Sequence, residues 1–154
     1  MGKVDPKKDS VTVTFSEKLR VSSMCNTWSN DNSDQSLGGN GVVVVTITDS
    51  GSNDVLTVST TTGCTFNLGS ISLGGDYVTA TSTFSGSGGN ASAISWVAST
   101  RVLTISLGSQ ATGTLNNTAQ SAGTPTYTPS TSITDTFGNA MAGTPFPAPS
   151  TSRF

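Results

Sequence analysis

Alternation of β-branched and polar residues is the feature that most constrains the fold of this chain. Three segments in its first half show the pattern, separated by turn-forming Gly, Asn, Asp and Ser residues: Ser10–Phe15, Val42–Thr48 and Val55–Thr60. Successive side chains on a strand point to opposite faces of a sheet, so each segment predicts a strand with one apolar and one polar face. No helical periodicity extends beyond a turn or two, so we expect an all-β domain with little helix.

Further strands are expected along the rest of the chain at intervals of roughly ten residues, with turn signals between them. Their predicted positions are Cys64–Leu68, Tyr77–Phe84, Ala93–Val97, Val102–Leu107, Thr126–Thr128 and Ile133–Thr134. Turn formers at 49–53 and 99–101 predict two hairpins. This spacing predicts an antiparallel β-sandwich of about seven to nine strands with Greek-key connections.

The ends of the chain differ in composition from its middle. Residues 1–9 contain Lys3, Lys7 and Lys8 and are predicted to form a basic, solvated N-terminal arm. The sandwich is expected over residues 10–144, followed by a Pro-rich C-terminal tail at 145–154. Residues 22–41 are rich in Asn, Asp, Ser and Gly, so we predict a long loop there, and loops of this length are often functional.

Low charge density narrows the choice of partners. Only 10% of the residues are charged, against roughly a quarter in typical soluble domains, and the net charge is -2. Phosphate binding needs a concentrated positive field, so nucleic acid is excluded as a partner. No apolar run approaches the roughly 20 residues that span a bilayer. A hydroxyl-rich surface suits an extracellular protein, with neighbouring domains, copies of itself, or a surface glycan or protein as partners.

Cys25 and Cys64 are the only two cysteines. An even count in a Ser/Thr-rich, charge-poor domain favours one intramolecular disulfide and an oxidising compartment. The chain-entropy model gives such a bridge about 4 kcal/mol of stabilisation. Two buried free thiols are the alternative.

The chain lacks the residues on which acid–base and nucleophilic catalysis depend. It contains no histidine, and Glu17 is its only glutamate. Ser-His and Cys-His arrangements are therefore excluded, and a pair of converging carboxylates is not evident. We expect no enzyme activity and no cofactor.

Calcium is an alternative, because the turns supply hard oxygen ligands. Asp49, Asn53 and Asp54 form one candidate cluster, and Asp135 with Asn139, joined by Glu17, forms another. Neither has regular calcium-loop spacing. The preference of Asp and Asn for turns explains the same residues without a metal.

Trp28 has two interpretations as the aromatic residue of the long loop. It could be a core anchor packed on the disulfide, or an exposed residue that stacks on a sugar or a partner. Tyr77, Trp96 and Tyr127 complete the set from which a sugar-binding surface would be built.

Two stretches resemble bacterial immunoglobulin-like (Ig-like) domains of secreted and cell-surface proteins. Val11-Thr-Val-Thr-Phe-Ser-Glu-Lys-Leu19 is similar to their first strand, which ends in Phe-Ser-Glu. Tyr127-Thr-Pro-Ser130, followed by Ile133-Thr-Asp-Thr-Phe-Gly-Asn-Ala140, resembles their closing motif, in which Asp-x-x-Gly-Asn follows a short strand. The resemblance implies an Ig-like sandwich used as a spacer, stalk or adhesin module.

These observations together predict a non-catalytic structural or adhesive module of a bacterial extracellular surface protein. Two alternatives remain open. One is a carbohydrate-binding β-sandwich module, and the other is the subunit of an extracellular filament assembled by strand exchange at a sheet edge.

Overall fold

The structure, a computed structural model, describes residues 2–148 and contains eleven strands in that range. In chain order they are β1 (Ser10–Thr14), β2 (Gln35–Gly38), β3 (Val43–Thr48), β4 (Val55–Thr60), β5 (Gly69–Ser72), β6 (Val78–Phe84), β7 (Ala93–Val97), β8 (Val102–Ser106), β9 (Gln110–Leu115), β10 (Thr126–Pro129) and β11 (Phe146–Pro147). Two short 3-10 helices lie at Val21–Ser23 and Gly88–Asn90.

The strands form two antiparallel sheets that pack as a sandwich. The smaller sheet has the order β1-β8-β7-β2, and the larger has the order β11-β10-β5-β4-β3-β6-β9. Within the larger sheet, β3, β4 and β5 are consecutive neighbours and β6 returns to the far side of β3. That arrangement is a Greek key. The predicted all-β sandwich with Greek-key connections is therefore confirmed.

Alternation along the strands produces the core between the sheets. Val43, Val45 and Ile47 of β3 are completely buried, while the residues between them are more exposed. Phe15, just after β1, makes edge-to-face ring contacts with Trp96 of the same sheet and Tyr127 of the other. Such contacts fix how the two layers pack against each other.

The number and positions of some strands differ from the prediction. Eleven strands replace the expected seven to nine, because β2 lies inside the predicted long loop and β9 and β11 carry no apolar alternation. The strand predicted at Cys64–Leu68 is instead β5, a few residues later, and only Cys25–Phe66 forms a bridge there. Ile133–Thr134 contributes one isolated bridge, Thr134 to Ala140, rather than a strand.

Both flanking segments contact the sandwich. Val4 is buried, and Gly2 exchanges two backbone hydrogen bonds with Gln120, so residues 2–9 are not a solvated arm as predicted. In the predicted tail, Phe146 and Pro147 form β11 and pair with β10. The rest of that tail, residues 149–154, lies outside the described residues.

Residues 2 and 148 lie at the same end of the sandwich, which we call the basal end. Ala148 donates a backbone hydrogen bond to Pro125, a short distance along the chain from Gln120, the partner of Gly2. The backbone at 74–75 contacts both Thr124 and Gln120 and joins the two points. From here β10 runs to the opposite, distal end, where β5 begins and where the turn at 135–139 follows β10.

Candidate functional site

Cys25 and Cys64 form the predicted disulfide, with their Cα atoms 5.4 Å apart. The bridge ties the segment after the first 3-10 helix to the connection between β4 and β5. Backbone bonding reinforces the link, since Asn67 donates to the carbonyl of Met24. The disulfide therefore closes one side of the molecule, with Cys25 fully buried and Cys64 partly exposed.

Trp28 lies in the core beside this bridge. Its side chain is only 5% exposed, and its ring packs edge-to-face on Phe66 with centroids 5.8 Å apart. The core-anchor interpretation agrees with this placement. The alternative of Trp28 as an exposed ligand-stacking residue is wrong, because a ring with both faces covered cannot stack on a sugar.

The remaining aromatics of the predicted sugar-binding set are also turned inward. Tyr77 and Trp96 are buried. Tyr127 is half-buried, donates its hydroxyl to the carbonyl of Leu68 at 2.8 Å, and has its pKa raised above the usual value by burial. A flat aromatic platform is therefore not built from any of these residues.

Asp54 is a completely buried carboxylate that organises the basal end. One of its oxygens accepts the backbone N–H groups of Tyr77 and Val78, at 2.6 and 2.8 Å, and the other accepts that of Ser50. These bonds hold the β3–β4 turn against the start of β6. Backbone amides thus occupy the oxygens that the calcium hypothesis assigned to a metal.

The neighbouring members of the first calcium candidate have similar roles. Asn53 accepts hydrogen bonds through its side-chain oxygen from the Ser72 hydroxyl and the Gly74 amide, both at 2.8 Å. Asp49 accepts only from the Gly51 amide within its own turn. Among residues 2–148, no three acidic, cysteine or histidine side chains come close enough to share a metal ion. Calcium binding at 49–54 stays a prediction.

Asp135 and Asn139 close a tight turn at the distal end. One oxygen of Asp135 accepts the amides of Phe137 and Asn139, and the other accepts the Asn139 side-chain amide at 2.7 Å. These bonds, the one from the Asn139 side chain foremost, lower the pKa of the Asp135 carboxyl. Glu17 lies across a cavity from this turn and makes no hydrogen bond to it.

The same turn displays Phe137 with 90% of its surface exposed. Gly138 follows with φ of 91°, a backbone conformation that favours glycine, so the ring projects from a turn fixed on both sides. Because the backbone of this turn is already ordered, a partner that covers the ring does not have to order the turn. In the sequence Asp135 and Asn139 were candidates for calcium or for a simple turn, and the phenylalanine between them was not among the predicted site residues.

A groove of about 300 Å³ runs along β1, and we call it the β1 trough. Residues 10–14 form one wall, and Ile71, Leu73, Tyr127 and Phe146 of the larger sheet lie across from them. A second cavity of about 290 Å³ continues it toward the distal end and shares Phe146 with it. Phe146 is 50% exposed, so part of the apolar surface that lines the trough is accessible to solvent.

The outer face of the larger sheet is covered by hydroxyl groups. Strand register places six of them in one row across six neighbouring strands: Thr128, Ser70, Thr57, Thr46, Thr83 and Thr112. The hydroxyls of Thr83 and Thr112 are 2.7 Å apart. This row contains no charged group, so another surface can approach it without desolvating an ion.

Searches for related proteins found no match, either among protein-family models, among curated proteins or among solved structures. Within the described part of the chain, no helix has the length and apolar character that a membrane-spanning helix requires.

Proposed function

We propose that this chain is a non-catalytic adhesive or structural module, Ig-like in type, of a bacterial extracellular surface protein. The observation that carries the proposal is the position of Phe137. It is an exposed aromatic ring on a hydrogen-bonded turn at the distal end, opposite residues 2 and 148. Aromatic side chains that become buried when a partner binds supply much of the binding energy in protein interfaces.

The use of polar side chains supports a role without catalysis. Asp54, Asn53 and Asp135 direct their oxygens to backbone amides of the same domain. Groups committed to the fold in this way stabilise turns and do not act on a substrate. Within residues 2–148, the exposed surface offers hydroxyls and two phenylalanine rings, which suit contact with another molecule.

The arrangement of the ends favours an adhesive module over an in-line spacer. Residues 2 and 148 both lie at the basal end. The turn at 135–139 lies at the opposite, distal end, where a partner can reach it. A stalk module that carries tension through its length would have these two points at opposite ends.

The disulfide and the low charge support an extracellular setting. Bridges such as Cys25–Cys64 form and persist in oxidising compartments. A surface dominated by Ser and Thr has few charges to neutralise when it meets another protein.

The test is adhesion of the purified chain to panels of extracellular proteins and glycans, measured on a biosensor. We expect binding to a protein ligand that Phe137→Ser abolishes and Phe146→Ser weakens less. Thr79→Ser, a change on an exposed strand position away from the distal end, is the matched control and should bind as the wild type does. Binding to glycans alone, or protein binding that Phe137→Ser leaves unchanged, would contradict the proposal.

A filament subunit assembled by strand exchange is the second candidate. The free edge of β1 is the observation that favours it, since such edges accept strands from other chains. Light scattering over a wide concentration range tests this candidate. Mass that rises with concentration supports it, and a monomer throughout removes it.

A further inference from the structure

β1 is the end strand of the smaller sheet, and its outer edge has unused hydrogen-bonding groups. A backbone hydrogen bond lies just beyond each end of the β1–β8 pairing. At one end the N–H of Leu107 donates to the carbonyl of Asp9, and at the other the N–H of Phe15 donates to the carbonyl of Arg101. Hydrogen-bonded pairs alternate along an antiparallel ladder, so the odd-numbered residues of β1 face β8. The backbone N–H and C=O groups of Ser10, Thr12 and Thr14 therefore point outward, where they have no partner among residues 2–148.

The larger sheet extends beyond this edge. The rings of Phe15 and Tyr127 place β1 opposite β10, and β11 lies one strand further out. Neighbouring strands are about 4.8 Å apart, so the overhang leaves room beside β1 for roughly one additional strand. The β1 trough occupies this position, with Tyr127 and Phe146 on the side opposite the free edge.

β1 lacks the features that usually protect an edge strand. Its five residues pair with β8 in unbroken register and include no proline or lysine. At the edge formed by β9, in contrast, the register shifts three times along the pairing with β6. Bulges and charges at edges discourage pairing with other chains, so β9 is protected and β1 is not.

Charge defines what the trough can accept. Along residues 10–14 and across from them, none of the lining side chains is charged. Glu17 and Asp135 line only the continuing cavity at the distal end. The complementary occupant is an extended, uncharged segment with apolar and hydroxyl residues in alternation and a cationic residue at the end beside Glu17 and Asp135.

We propose that the β1 trough binds such a peptide segment of another protein by β-strand addition. The segment runs antiparallel to β1, bonds to the outward groups of Ser10, Thr12 and Thr14, and places its apolar side chains over Tyr127 and Phe146. This inference rests on the proposed function and assigns the chemistry of one of its partners. Main-chain bonding supplies affinity in this mode, and alternate side chains supply specificity.

An amide NMR titration of the isotope-labelled full chain tests the proposal. The probe is the capped peptide acetyl-Lys-Ser-Val-Thr-Val-Thr-Val-amide, taken to millimolar concentration. We expect the largest amide shifts at Ser10, Thr12 and Thr14, with smaller ones at Tyr127 and Phe146. The matched control is the same peptide N-methylated at alternate residues, which cannot complete the ladder and should bind about tenfold more weakly.

Two variants at Thr12 distinguish binding through the backbone of β1 from binding through the Thr12 side chain. Thr12→Pro removes an outward N–H without touching a bond to β8, and we expect affinity to fall about tenfold. Thr12→Ala keeps that N–H and should bind as the wild type does. Should Thr12→Pro fail to fold, the N-methylated peptide makes the same comparison on the intact protein.

Three results would overturn the proposal. They are equal binding of the methylated and unmethylated peptides, no shift at β1 with millimolar peptide, and outward amides already protected from exchange in the free monomer. The last would show that the chain's own residues occupy the edge. None of these bears on adhesion through Phe137, so failure here is distinguishable from failure of the proposed function.

Discussion

Several turns of this protein are held by hydrogen bonds to the side chain of a single polar residue, and Asp54 is the clearest case. A buried carboxylate is costly unless it is hydrogen-bonded, and here three backbone amides satisfy it. Those amides belong to the β3–β4 turn and to the start of β6, which are distant in sequence. Asp54 therefore holds the β3–β4 turn and the start of β6 together at the basal end.

Replacing Asp54 tests this role. Asp54→Ala removes the oxygen that accepts from the buried amides of Tyr77 and Val78, and we expect the free energy of unfolding to fall by about 2–4 kcal/mol. Asp49→Ala, in the exposed part of the same turn, is the matched control and should change it by about 0.5 kcal/mol or less. Urea unfolding measures both, and equal effects would contradict the assignment.

Asp135 gives a pH-dependent prediction. Its pKa in the folded protein is lowered by the bonds from Asn139 and the turn amides, below an unfolded value near 3.9. The ionised carboxylate therefore stabilises the fold above about pH 4, and this contribution is lost as the pH falls through the folded pKa. Asp135→Asn keeps an acceptor but does not titrate. We expect the melting temperatures of wild type and variant to differ most near pH 6 and to converge toward about pH 2. A difference that stays constant over this range would show that Asp135 does not titrate as described.

Residue-level prediction from sequence succeeded where local chemistry decides the outcome. The pairing of Cys25 with Cys64 followed from their number and setting, and the turn preference of Asp and Asn was evident. The burial of Asp54 and the exposure of Phe137 could not be predicted from the sequence. Both depend on which distant strands come together, and a phenylalanine between two turn formers carries no local sign of facing solvent.

At the scale of elements, the disulfide should account for a large part of the stability. The bridge spans 39 residues of sequence and joins the segment before β2 to the connection after β4. Cys25→Ala with Cys64→Ala should lower the free energy of unfolding by about 4 kcal/mol through the freedom regained by the unfolded chain. Chemical unfolding of the variant and of the oxidised wild type measures the difference. A loss below about 1 kcal/mol would show that the unfolded chain is already compact in this region.

Strand prediction succeeded and failed for physical reasons that differ between elements. β3, β4 and β7 bury every second residue, so the alternation of apolar and polar residues in their sequences was clear enough to predict them. β9 is exposed along almost its whole length and owes its existence to pairing with β6. β5 begins at Gly69, which has a φ of 99° and lies close to the Thr128 carbonyl, so only glycine fits there. In the sequence, however, a glycine at this position is typical of a turn, and β5 was therefore not predicted.

At the scale of the whole molecule, layering was predictable and strand order was not. Immunoglobulin constant-type domains place their first, second, fourth and fifth strands in one sheet. Here β1, β2, β7 and β8 share the smaller sheet, and β3–β6 form the Greek key of the larger one. Alternation specifies that two apolar faces must meet, but the order of strands depends on long-range pairing. The Ig-like family assignment therefore stays a prediction, while the sandwich is established.

The shared basal position of residues 2 and 148 can be tested by circular permutation. A linker of about eight Gly and Ser residues spans roughly 16 Å, enough to join two points held by the same patch of backbone. New ends between Gly88 and Gly89 fall in the exposed second 3-10 helix, and both glycines have open space around them. We expect this permutant to fold cooperatively, with a melting temperature within about 8 °C of wild type, because no strand pairing is interrupted. A control permutant opened at Gly51 separates β3 from β4 at the centre of the Greek key, and it should be much less stable. If both permutants fail to fold with this linker while the first folds with a linker of about 20 residues, residues 2 and 148 are not neighbours, and the projecting arrangement that favours adhesion over a stalk loses its basis.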